Sequence, residues 1–118
     1  MPWAIEYYVT RDHSKPVQEW LNGLSDKKLK AKMYTGISKL GEHGVDILIK
    51  TDFLRRISGD DDNLYEIRGE QGRITVHFDR ARNVFILLNA FLKKRQKEKR
   101  KIDESRRFLH DYLEKKGE

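Results

Sequence analysis

The sequence predicts a small α+β fold in which a helical hairpin packs on one face of a small twisted sheet. Two segments alternate apolar and polar residues, as half-buried strands do, and a third is almost entirely apolar, as a central strand is. Two other segments carry apolar residues at helical spacing. The strand-like segments are residues 64–68, 73–79 and 84–91, and the helical ones are residues 17–40 and 102–113.

The first half of the chain predicts a strand followed by two helices. Trp3, Ile5, Tyr7 and Val9 alternate with polar or small residues. Ser14 is the expected N-cap of the first helix, with Pro16 just inside it. Asn22 and Gly23 end this helix, and Ser25 or Asp26 caps the second. The second helix carries an apolar stripe and is expected to stop at two glycines: Leu29, Met33, Ile37 and Leu40, then Gly41 and Gly44. Gly36 inside it predicts close packing against the sheet.

The second half predicts a three-strand meander and a final helix. Residues 45–57 are interpreted as a partly extended connection with buried anchors, and residues 59–63 as a polar loop. Turns at 69–72 and 79–83 join the three strands, and an amphipathic helix follows. The predicted order is β-α-α-β-β-β-α, which leaves the second face of the sheet partly open.

Composition limits the class of protein. The 118 residues suit one domain, here expected to span residues 1–118, and 37% are charged. There is no cysteine, so disulfides and thiolate metal sites are excluded. No run approaches the roughly 20 apolar residues of a membrane span, and no signal segment opens the chain. We therefore expect a cytoplasmic protein.

The positive charge is concentrated after the last predicted strand. Residues 93–107 hold nine Lys or Arg and three Asp or Glu, a net charge of +6 that equals the net charge of the whole chain. Phosphate is the expected counterpart, because cation–phosphate contacts release condensed counterions. A solvated helix start or an acidic protein partner would fit the charge equally well. The predicted RNA-contacting residues are Lys93, Arg95, Lys97, Lys99, Arg100, Lys101 and, on a strand, His77.

A second cluster of polar residues is predicted on the open face of the sheet. Glu66 and Arg68 share one face of their strand, and Arg73 and His77 share one face of the next. A carboxylate can remove the proton of an RNA 2′-hydroxyl, while arginines stabilise the charge on phosphorus. A surface ion pair between Glu66 and Arg68 is the simpler alternative.

No metal site or cofactor is predicted. Asp60, Asp61 and Asp62 are adjacent, which is unlike the spaced ligands of a calcium loop. The four histidines show no metal-ligand spacing.

The ordered motifs resemble those of RelE/HigB-type toxins, in particular the HigB-like, phage-derived branch of type II toxin–antitoxin systems. The matching residues are Leu64-Tyr65-Glu66-Ile67-Arg68, Arg73-Ile74, Phe91-Leu92-Lys93-Lys94 and Gln96-Lys97. The resemblance implies a RelE-like microbial RNase fold and cleavage of messenger RNA, usually on the ribosome. It also implies a helix-turn-helix, HigA-like antitoxin that represses its own operon, and so an indirect link to operator DNA.

The resemblance also assigns roles. It implies that Arg68, Arg73 and Lys94 are catalytic, with Lys93 beside them, and that Glu66 stands where some relatives have a carboxylate base. Gly72 replaces an expected aromatic residue and Lys99 an expected proline. Residues 92–107 contain no Tyr or His to act as the acid, so His77 or Tyr112 would have to substitute, or a lysine or arginine would have to carry the role.

The sequence therefore predicts a metal-independent endoribonuclease toxin. Two alternatives stay open: a non-catalytic module that binds RNA, DNA or the ribosome through the same patch, and an interaction protein whose basic helix docks an acidic partner.

Overall fold

The computed structural model of the chain describes residues 2–57, 63–94 and 97–117 and has mixed α+β architecture. Its elements in chain order are β1 (Ala4–Tyr7), α1 (Pro16–Asn22), α2 (Lys27–Ile49), β2 (Leu54–Arg56), β3 (Leu64–Gly69), β4 (Gly72–Asp79), β5 (Val84–Leu92) and α3 (Glu98–Lys116). The strands form one sheet in the order β1-β5-β4-β3-β2. β1 runs parallel to β5, and the other pairs are antiparallel.

The helices α1 and α2 pack on one face of the sheet, as the sequence predicts. Their apolar stripes bury Leu21, Met33 and Leu40 against Ile74 and Leu87 of the central strands. The predicted close approach at Gly36 is confirmed, since a Cβ there would lie 2.7 Å from Ile67 Cγ2. The hairpin therefore provides the main hydrophobic core.

The prediction of an open second face is wrong, because α3 covers it. Leu109 of α3 is buried against Ile86 and Leu88 of β5, with Phe108 and Tyr112 packed around them. An amphipathic helix buries its apolar stripe wherever a sheet face offers apolar partners. The polar residues on that face therefore lie at an interface rather than in solvent.

The predicted stop of the second helix is confirmed at Gly44, where the backbone leaves helical geometry, but a further helical segment that was not predicted follows and extends α2 to Ile49. Gly44 has φ 73° and ψ −170°, a conformation that is essentially restricted to glycine. The indole of Trp3 fills the space beside it, 2.7 Å from where a Cβ would stand. Gly44 therefore interrupts α2 and divides it into two helical segments.

The connection predicted at residues 45–57 contains an element that the sequence analysis missed. Leu54–Arg56 form β2, which pairs antiparallel with β3 and lies at the edge of the sheet. A three-residue strand shows too little alternation to be recognised. The loop predicted at 59–63 lies outside the described residues except for Asn63.

The helix starts were predicted with mixed success. Asp26 caps α2 as expected, with Oδ1 accepting from the backbone N–H groups of Lys28 and Leu29. The expected Ser14 cap is wrong, because Lys15 is the N-cap of α1 and offers no side-chain hydrogen bond. Within the described ranges, no helix combines the length and apolar character needed to cross a bilayer.

Candidate functional site

A buried carboxylate lies at the centre of the sheet beneath α3. Glu66, in the middle of β3, is 1% exposed. Among the residues that the structure describes, neither of its carboxylate oxygens has a hydrogen-bond partner. Its Oε1 lies 3.6 Å from Nε of Arg73 and 3.8 Å from Nη2 of Arg55. Because buried carboxylates are normally hydrogen-bonded, this unsatisfied acceptor marks a candidate functional group.

The surroundings of Glu66 raise its pKa. Burial is the largest cause, because it disfavours the charged form. Arg55 and Arg73 oppose this effect by favouring the carboxylate, whereas Glu98 in the first turn of α3 reinforces it. The carboxyl group therefore accepts a proton more readily than an exposed glutamate does.

Arg73 is held rigidly beside this carboxylate. Its Nη1 donates to the backbone oxygens of Glu70 at 2.7 Å and Gly72 at 2.8 Å, both in the β3–β4 hairpin. The side chain is 4% exposed, and burial lowers its pKa. Arg68 is opposite Arg73 in the ladder, as predicted, and is half-buried. The hairpin thus brings two guanidinium groups to the same end of the sheet.

Arg55 is a site residue that sequence reasoning missed. It is paired with Glu66 in the β2–β3 ladder, and its side chain is more than half exposed. Two arginines follow Leu54 in the sequence. Arg55 could be placed beside Glu66 only once residues 54–56 were known to form a strand. Arg55 adds a solvent-facing cation to the buried pair.

The N-terminal half of α3 encloses the site. Thr75, the ladder partner of Glu66, donates its hydroxyl to Ser105 Oγ at 2.8 Å. Ser105 is fully buried and donates in turn to the backbone oxygen of Lys101. Asn89 of β5 donates to Glu104 at 2.8 Å. The Thr75–Ser105 and Asn89–Glu104 hydrogen bonds therefore fix this part of the helix over the central strands.

The two predicted substitutes for the missing acid lie close together, His77 on β4 and Tyr112 on the C-terminal half of α3 that packs over it. His77 is buried, and its ring centroid is 6.2 Å from that of Tyr112. The Tyr112 hydroxyl donates to Asp79 Oδ2 and accepts from Arg82, both at 2.8 Å. Burial and the Asp79 hydrogen bond raise the pKa of Tyr112. Their roles as the acid stay predictions.

The basic cluster begins where β5 ends. Lys93 and Lys94 are exposed, and the backbone N–H of Lys93 donates to Gln71 O at 2.6 Å. Lys97, Lys99 and Arg100 are exposed and Lys101 is half-exposed at the start of α3. Arg95 and Gln96 lie outside the described residues. Across the described part of the chain, no group of three His, Cys, Asp or Glu residues could hold a metal ion.

Comparison with models of protein families identifies the family of this chain. The model of the phage-derived Gp49-like proteins matches residues 19–109, more than three quarters of the chain. The chain belongs to the phage-derived Gp49-like family. No curated protein matches it in sequence.

Solved structures show that this Gp49-like protein has the fold of RelE toxins. The archaeal RelE–RelB complex from Pyrococcus horikoshii OT3 superposes with a TM-score of 0.58 and 16% identity, over 80% of this chain and 99% of that one. A mutant of E. coli toxin RelE in the free state superposes with a TM-score of 0.60 and 12% identity, over 91% of this chain and 97% of that one.

The raised pKa of Glu66 in this Gp49-like protein predicts a pH effect on stability. A carboxyl group with a raised folded pKa binds its proton more tightly in the folded state. The free energy of unfolding therefore falls as the pH rises from the ordinary pKa of 4.5 through the folded pKa. Glu66→Gln should flatten this fall and be more stable than wild type at neutral pH.

Urea denaturation between pH 4.5 and neutrality measures this difference. Glu42→Gln is the matched control, because Glu42 is exposed and should leave the slope unchanged. A Glu66→Gln protein with the wild-type slope would show that Glu66 is not the titrating group.

Proposed function

We propose that this chain is the toxin of a type II toxin–antitoxin system and a metal-independent endoribonuclease that cleaves messenger RNA on the translating ribosome. The observation that carries the proposal is the buried, unsatisfied carboxylate of Glu66 between the guanidinium groups of Arg73 and Arg55. The Gp49-like family and the RelE fold support it.

In the proposed reaction, the nucleophile is a 2′-hydroxyl group of the RNA itself. Glu66 takes the proton of a 2′-hydroxyl, and the oxygen forms a bond to the adjacent phosphorus. The bond from phosphorus to the 5′-oxygen breaks, and that oxygen takes a proton from an acid, for which His77 and Tyr112 are the candidates. The products are a 2′,3′-cyclic phosphate and a 5′-hydroxyl end.

The cations have separate proposed roles. Arg73 and Arg68 stabilise the extra negative charge on phosphorus, because a planar guanidinium can hold two phosphate oxygens at once. Arg55 assists them from the solvent side. Lys94 and Lys93 hold the RNA backbone at the end of β5, and the remaining cations of the basic cluster extend this contact.

RNA reaches Glu66 only if the N-terminal half of α3 moves. Glu66 and Arg73 are both nearly inaccessible in the closed conformation. This half of α3 is attached by the Thr75–Ser105 and Asn89–Glu104 hydrogen bonds, whereas the other half is anchored by Leu109. Bound RNA would stabilise the open form because it contacts Glu66 only there.

The proposed setting follows from the family. We propose one toxin domain over residues 1–118, acting in the cytoplasm and neutralised by a HigA-like helix-turn-helix antitoxin. That antitoxin would link the toxin indirectly to operator DNA. The complex of the archaeal RelE with RelB supports an antitoxin partner.

A non-catalytic binding module is the second candidate function. It is favoured by one observation: the lysines of the basic cluster are exposed while Glu66 and Arg73 are buried. Such a module would bind RNA or the ribosome without forming cleaved product.

Arg68→Ala tests the proposed chemistry, because Arg68 is half-buried, whereas Arg73 is buried and its side chain is hydrogen-bonded to the hairpin. Cleavage of ribosome-bound messenger RNA should slow by about 100-fold, as expected when one charge-stabilising donor is lost. Arg80→Ala is the matched control, since Arg80 is exposed in the β4–β5 turn. Equal rates for Arg68→Ala and wild type would contradict the assignment.

A disulfide tests whether α3 must move. The chain has no cysteine, and the Thr75 and Ser105 hydroxyl oxygens lie 2.8 Å apart, so Thr75→Cys/Ser105→Cys should form one disulfide that locks the helix closed. The oxidised protein should cleave RNA at least about tenfold more slowly than the reduced protein.

The control for this lock is Thr10→Cys/Ser14→Cys. These hydroxyls are also 2.8 Å apart, but they lie in the loop before α1. Oxidation of the control pair should leave cleavage unchanged. Full activity of the oxidised Thr75–Ser105 variant would show that α3 does not gate the site.

A further inference from the structure

A groove lies where β1 stops covering the edge of β5. β1 pairs with β5 only from Val84 to Leu87, and among the described residues no other strand pairs with the last residues of β5 on that side. α1 flanks this open edge on one side and the start of α3 on the other. The groove is lined by Trp20, Phe91, Leu92, Lys94, Lys97 and Lys101, and we call it the lysine groove.

The chemistry of the lysine groove combines cations with an aromatic surface. None of its described lining residues is Asp or Glu, and three are lysines. Lys94 and Lys97 are exposed, and Lys101 is within 3.6 Å of Glu104 in the next turn of its helix. Trp20 is half-buried, so part of its indole faces the groove. Aromatic rings beside backbone-binding lysines are the combination that holds single-stranded nucleic acid.

The size of the lysine groove favours one nucleotide over a whole small-molecule ligand. Its volume is about 230 Å³, below the roughly 300 Å³ at which pockets for whole ligands begin.

The lysine groove adjoins the proposed catalytic site. Phe91 in its floor is the direct ladder partner of Arg73 on β4. Residues directly opposite each other in a sheet share a face and have Cβ atoms about 5 Å apart. A nucleotide in the groove would therefore be a near neighbour of the phosphate held by Arg73.

We propose that the lysine groove binds one nucleotide of single-stranded RNA next to the cleaved bond, with its base against Trp20 and its phosphates on Lys94, Lys97 and Lys101. This inference rests on the proposed function in taking RNA as the substrate. The groove is accessible while α3 is closed, so RNA binds here before Glu66 is uncovered. Trp20 thereby becomes a determinant of which base flanks the cut.

Tryptophan fluorescence tests the groove separately from cleavage. The chain has two tryptophans, and Trp3 packs against Phe85 and beside Gly44. Trp3→Phe leaves Trp20 as the reporter, and Trp20→Phe leaves Trp3 as the matched control. The probe is a short 2′-O-methyl RNA, which lacks the attacking hydroxyl. It should quench the Trp3→Phe protein saturably and leave the Trp20→Phe protein unchanged.

Two further variants test separately how base stacking and positive charge contribute to RNA binding. Trp20→Leu keeps an apolar side chain toward the core and should weaken RNA binding about tenfold, because only the base-stacking surface is lost. Lys97→Ala should lower the salt dependence of binding by about 0.7 in log–log slope, the value for one phosphate contact on a single strand. Lys50→Ala, also an exposed lysine at a helix end, should leave the slope unchanged.

The outcomes distinguish the groove from the nuclease. RNA binding without quenching of Trp20 fluorescence would contradict the proposal that RNA binds in the lysine groove, but it would not contradict the proposed function. Quenching without any cleavage of natural RNA on ribosomes would support the groove while the nuclease proposal fails. Equal quenching by polyglutamate would overturn the groove in favour of an acidic peptide site. If Trp3→Phe does not fold, 5-fluorotryptophan NMR of the wild-type chain resolves the two indoles, and an unshifted Trp20 signal overturns the groove.

Discussion

The structure depends on a carboxylate that is buried with charged neighbours and that has no hydrogen-bond partner among the described residues. Removing an ionised carboxylate from water costs on the order of several kcal/mol, and attraction to a cation offsets this only in part. Glu66 lies 3.6 Å from the Arg73 guanidinium, so attraction is present but the acceptors stay unsatisfied. A purely structural role would be served better by an apolar residue, whereas proton transfer needs an acceptor of this kind.

The sheet register explains how this arrangement is assembled. A hairpin with Glu70 and Gln71 at its tip sets Arg68 opposite Arg73 and Glu66 opposite Thr75, and β2 adds Arg55 opposite Glu66. All four charged residues share the face that α3 covers. α3 consequently has two effects. It excludes water from the site, which strengthens the electrostatic interactions there, and it blocks the access of a polymer to the site. The lysine groove is not covered by α3, so the polymer can bind there first.

Local sequence signals predicted the parts of the fold that depend on local physics. The alternation in β3 and β4, the Asp26 cap and the tight hairpin need only a few neighbouring residues to be specified, and each is present in the structure. The family motif likewise pointed to Glu66, Arg68 and Arg73, which the structure brings together on one face of the sheet. Their catalytic roles stay predictions.

The features that escaped prediction are set by tertiary contacts. Gly44 interrupts the helix as predicted, but the helical segment that follows to Ile49 was not predicted, and the indole of Trp3 packs beside the break. β2 is too short to show a period, so Arg55 could not be placed beside Glu66. The alternation of polar and apolar residues in β4 predicted that the polar side chains face solvent. Instead, Thr75 faces Ser105 of α3, because a side chain of a helix can satisfy a hydroxyl group as water does.

The most direct test of the central claim is to map 5′-hydroxyl RNA ends in cells after brief induction of the wild-type chain and of Glu66→Gln. The account predicts new ends at codon-phased positions within translated messages for the wild type and none for the variant, although the variant stays folded. The same phased ends with Glu66→Gln would show that the buried carboxylate is not the base that starts the cut. Intact messages in cells arrested by the wild type would contradict the nuclease itself.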